Sequence, residues 1–152
     1  MLLLSLCSSC FAAFLFLSIS VPTFAADSDS EAKAREVAAE KFVAQRLHIW
    51  QERLNLTDWD IRFDMVRSKD LEPKTLGNVH WDTDVKTARI SVMSTYDYTM
   101  PYKEMLKDME FTVVHELVHL HLASLPRSEA SRRVEEHAVN ELAAALLRLA
   151  SK

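Results

Sequence analysis

Glycine is almost missing from this sequence: one residue in 152, alongside four prolines. That scarcity excludes collagen-like and low-complexity chains and leaves little to interrupt regular elements. Basic runs are missing too. With 18 Lys+Arg against 22 Asp+Glu, the net charge of -4 offers no electrostatic footprint for nucleic acid. The hydrophobic share of 49% is enough to bury a core, and the length suits a single domain.

Charge is also absent from one end. No charged side chain precedes Asp27, and Leu2 to Val21 is apolar or small almost throughout. The expectation is a secretory signal peptide over residues 1–25, cleaved after Ala25, with Thr23 and Ala25 as the small residues a signal peptidase inspects. One domain over 26–152 follows, secreted or periplasmic, and membrane-bound only if the apolar segment stays uncleaved. Both cysteines, Cys7 and Cys10, fall inside this leader, so no disulfide is expected in the mature domain.

What remains reads as α+β. Asp27 to Glu31 is a polar tether, followed by an amphipathic helix in which Ala39, Val43, Leu47, Trp50 and Leu54 recur at helical steps. Trp59, Ile61, Phe63 and Met65 alternate with Asp60, Arg62 and Asp64, as a half-buried strand does. Leu76-Gly77-Asn78 punctuates the chain. Val79 to Trp81 and Ala88 to Met93 read as two further strands, and short connections make an antiparallel meander the economical topology. A helix from about Tyr102 to Ser124 follows Pro101, apolar nearly all round in its second half, and a last helix runs from about Ser128 to Ala150.

The second helix carries His115-Glu116-Leu117-Val118-His119, an H-E-x-x-H pattern. Residues four apart lie one turn above each other, so both imidazoles can reach one zinc ion while Glu116 leans over its open side as general base. Two imidazoles and a carboxylate buried without a metal would each need another partner. A hydrolytic zinc site needs a third protein ligand. His121 is two residues past His119, points elsewhere, and reads as a supporting or core residue. Glu135 and Glu136 on the last helix are the candidates. Glu135 shares its face with Val139, Leu142 and Leu146, the stripe expected to meet the second helix, and Glu136 is turned toward Asn140, Ala143 and Leu147. The expected ligands are therefore His115, His119 and Glu135, with Glu136 as the rival.

On these residues the chain resembles the gluzincin metallopeptidases in their minimal single-domain form, the minigluzincins. The resemblance rests on the five-residue motif, the downstream glutamates and the order helix, small sheet, active-site helix, glutamate helix. It implies one Zn2+ per chain, a zincin-like fold and hydrolysis of peptide or protein substrates by a zinc-activated water with Glu116 as general base/acid, as an endopeptidase rather than an exopeptidase. It also implies a substrate-binding strand, for which Ala88 to Met93 is the candidate. The sequence lacks the Asn-Glu-x-x-x-Asp motif and catalytic-histidine domain of larger gluzincins. Tyr96, Tyr98, Tyr102, His80 and His137 remain open as oxyanion donors. The alternatives are a non-catalytic zinc or peptide-binding domain, or a zymogen whose first helix covers the cleft.

Overall fold

The computed structural model describes residues 25–126 and 128–151; the expected leader, Ala25 apart, and both cysteines lie outside them. The chain is α+β, with three α-helices and one three-stranded sheet: α1 Ala25–Arg53, β1 Asp60–Val66, β2 Gly77–Asp82, β3 Thr87–Met93, α2 Tyr102–His121 and α3 Glu129–Ala150. The stretch read as a polar tether is helical, since α1 already runs through Asp27 to Glu31. Among the described residues no helix is long and apolar enough to cross a membrane.

The sheet is mixed and not the expected meander. Its order is β1-β3-β2, with β3 antiparallel to β2 and parallel to β1. The turn from β2 to β3 is tight and makes a hairpin. Residues 67–76, which include a 3-10 turn at Ser68–Asp70, instead carry the chain past the place β3 takes, so β1 and β2 become the two edges. Opposite charges meet across the parallel pair, where Arg89 of β3 binds Asp64 of β1.

α2 is the centre of the molecule. Met105, Met109, Val113, Val114, Leu117, Val118 and Leu120 are buried along it, as its nearly all-round apolar character requires. α1 lies against one side through Ala39, Val43, Leu47 and Trp50, all buried, and Trp50 Nε1 donates to Glu110 of α2 at 2.9 Å. Glu36 of α1 accepts from Ser94 Oγ at 2.8 Å and from the Thr95 backbone at 2.9 Å, fixing the 3-10 turn Thr95–Asp97 that leads from β3 to α2.

α3 folds back on α2 and begins where the sequence suggests. Ser128 and Ser131 cap each other's backbone N–H groups at 2.9 and 3.2 Å. Its contact face differs from expectation. Val139 and Ala143 are fully buried, whereas Leu142 is 49% exposed. The small Ala143 lets the helices approach closely, and the larger Leu142 lies off the seam.

Candidate metal centre

Both glutamates of α3 meet the histidines. Val139 and Ala143 lie three and seven residues after Glu136 and four and eight after Glu135, so both carboxylates stand toward α2, with 14% of the Glu135 side chain exposed and 52% of that of Glu136. One Glu136 oxygen stands 3.4 Å from His115 Nε2, and the other stands 3.3 Å from His119 Nε2. The two Nε2 atoms are 3.1 Å apart. Glu135, the expected ligand, is at the opposite side of the His119 ring, 3.0 Å from Nδ1. Both glutamates thus reach the histidines, Glu136 between the two Nε2 atoms and Glu135 behind His119.

Each imidazole is oriented from behind. His115 Nδ1 lies 3.1 Å from Asn140 Oδ1, as His119 Nδ1 lies beside Glu135. Both partners offer oxygen acceptors to Nδ1, which leaves the two Nε2 atoms as the ones that face each other and Glu136. Asn140 sits one turn after Glu136, a spacing visible in the sequence beforehand but not read there as support for His115.

Two imidazole Nε2 atoms and a carboxylate therefore converge. One ligand atom from each of His115, His119 and Glu136 lies within 4.8 Å of the others. Such a set could hold a metal ion, and two imidazoles with a carboxylate are donor types that zinc takes. The donor set fits the ion implied by the resemblance.

Glu116 follows His115 in sequence but is not part of the triangle. It is buried, and desolvation, reinforced by the charge of Glu136, pushes its carboxyl up to about 8. His115 moves the other way: burial, then the neighbouring His119, lower its pKa. Its neutral form is favoured, and that form is the one able to bind a metal.

Directly against Glu116 stands the chain's single glycine. Gly77 opens β2 and does not make a turn, and no positive φ explains it. A Cβ there would lie 2.4 Å from Thr112 Cγ2, 2.6 Å from the Ser91 carbonyl oxygen and 3.5 Å from Glu116 Oε1. Glycine is required because β2 passes so close to α2.

A cleft of about 620 Å³ opens between β2 and the α2–α3 pair, lined by His115, Glu116, His119, Glu136 and the strand residues from Gly77 to Trp81. β2 borders it as an edge strand. β3 is paired on both sides, so the expectation that Ala88 to Met93 holds substrate is not supported by the topology. Of the five proposed oxyanion donors only His80 lines this cleft; Arg132, one turn before Glu136, also does and was not foreseen. Among the described residues no α1 side chain lines it. His121 is exposed, neither core nor support for the histidines.

No family model matches the chain, and no curated protein or solved structure matches it either.

Proposed function

We propose that the chain is a zinc-dependent metallopeptidase whose metal is held by His115, His119 and Glu136. The observation that carries this reading is the convergence of two imidazole Nε2 atoms and one carboxylate, each imidazole oriented from behind, at the floor of a cleft that also holds Glu116. When bound, the ion supplies Lewis acidity toward a carbonyl and a water.

The chain's own groups do the rest. His115, His119 and Glu136 would supply three protein ligands, the number typical of catalytic rather than structural zinc. Glu116, buried in the same cleft, would act in its ionised form, accepting a proton from the attacking water and returning it to the leaving amine nitrogen. β2, an edge strand of the sheet, would offer backbone groups to a substrate peptide lying along it, which suits an extended chain cut internally.

The test is metal analysis with hydrolysis. Purified chain should carry close to one zinc and cleave members of a peptide library, and Glu116→Gln should keep the zinc and lose cleavage. Absence of zinc after reconstitution with it, or full activity in the Glu116→Gln variant, would overturn the proposal.

A further inference from the structure

α3 buries one face on α2 and leaves a second apolar row in solvent. Val134, Leu142 and Leu149 are 70%, 49% and 67% exposed, and the intervening Ala138 is exposed as well. At about 100° per residue, Val134, Ala138, Leu142, Ala145 and Leu149 fall in one narrow row, well away from the face of Val139 and Ala143. From Ala138 onward the spacing is four, three, four, which is the seam of a coiled coil and not a scatter of single exposed side chains.

We propose that the Ala138–Leu149 part of this row pairs with the same part of a second copy, antiparallel, about a two-fold axis between Leu142 and Ala145. The residues themselves select that occupant. With Leu142 set opposite Ala145 of the second copy, Ala138 falls opposite Leu149, and the two-fold repeats both pairs. Each layer then puts a leucine against an alanine, so the helices approach closely without a void. A parallel arrangement would instead set Leu142 against Leu142 and Ala138 against Ala138.

Charge agrees with that register. Glu141 and Arg148 are exposed and flank the row on the same side. In the antiparallel register Glu141 of one copy stands about 3 Å along the axis from the position of Arg148 on the other, at 1.5 Å per residue. The two-fold makes this contact twice. A parallel pair would place these flanks on opposite sides of the seam, where Glu141 of one copy meets no Arg148 of the other. Self-complementarity of this kind is what an isologous interface requires. The seam is on the flank of α3, separate from the three proposed metal ligands.

Cross-linking of the full chain, with Cys7 and Cys10 changed to Ser, tests the register. Chains carrying Ala138→Cys and chains carrying Leu149→Cys are oxidised together and apart. A covalent dimer should form efficiently only in the mixture, and Leu142→Glu added to both should abolish it. Glu141→Arg alone should weaken the cross-link, with Arg148→Glu added restoring it. Equal cross-linking of Ala138→Cys with itself, no cross-link in the mixture, or indifference to Leu142→Glu would overturn the proposal.

Discussion

Glu135 and Glu136 divide His119 between them, Glu136 reaching Nε2 at 3.3 Å and Glu135 reaching Nδ1 at 3.0 Å. Adjacent residues of one helix address opposite nitrogens of one ring. Their replacements therefore have separable effects. Glu136→Ala removes a proposed ligand and should lower zinc affinity by orders of magnitude. Glu135→Ala and Asn140→Ala remove only the acceptors behind the rings and should cost about 10–100-fold each. Zinc titration of the three variants checks the order; loss of metal from Glu135→Ala with retention by Glu136→Ala would reverse the assignment.

In metal-free protein Glu116 keeps its proton to about pH 8, far above the carboxylate range it returns to when unfolded. Between those limits the folded state binds more protons than the unfolded state, so stability declines as pH rises. Urea unfolding in chelator should show this decline from about pH 5 to pH 8, and Glu116→Gln should flatten it. An equal slope in both proteins would rule out Glu116 as its source.

Gly77→Ala should destabilise the fold by about 1–3 kcal/mol, because neither the Thr112 methyl nor the Ser91 carbonyl can retreat freely from a new Cβ. Since β2 would be pushed away from α2 beside Glu116, peptide cleavage should fall even at temperatures where the variant stays folded. Thermal melts and steady-state rates on the same preparation separate the two effects.

Asp97 accepts two hydrogen bonds from Arg67, at 2.9 and 2.7 Å, and one from the Ser68 backbone at 2.7 Å. The Arg67 guanidinium, followed by the Ser68 N–H, holds its carboxyl well below the usual carboxylate range. This interaction is fully present above the unfolded value and is lost as pH falls toward the lower folded one. Asp97→Asn should therefore reduce stability near neutrality and make the acid side of the stability curve shallower. A curve parallel to that of the parent chain would count against this role.

The long periodic segments were legible before any coordinates. The stripe of α1, the buried second half of α2 and the start of α3 at Ser128 follow from helical spacing and capping chemistry, which are local. The partner of β1 was not, because alternation in Trp59 to Met65 shows which face is buried and not which strand lies alongside. The buried face of α3 was not legible for a related reason. Leu142 outranks Ala143 in hydrophobicity, but two helices meet most closely over the smaller side chain. The H-E-x-x-H spacing did place His115 and His119 together, with Glu116 beside them.

The insertion of β3 between its two neighbours also orders events in time. The β2–β3 hairpin joins residues close in sequence, whereas pairing β1 with β3 must first close the whole stretch from Val66 to Thr87. Loop closure of that length makes the parallel pair the later and more easily opened one. Amide hydrogens contributed to the β1–β3 ladder should therefore exchange sooner than those shared by β2 and β3. The strand that borders the cleft belongs to the more durable half of the sheet, so the wall of the site outlasts partial opening of its far edge.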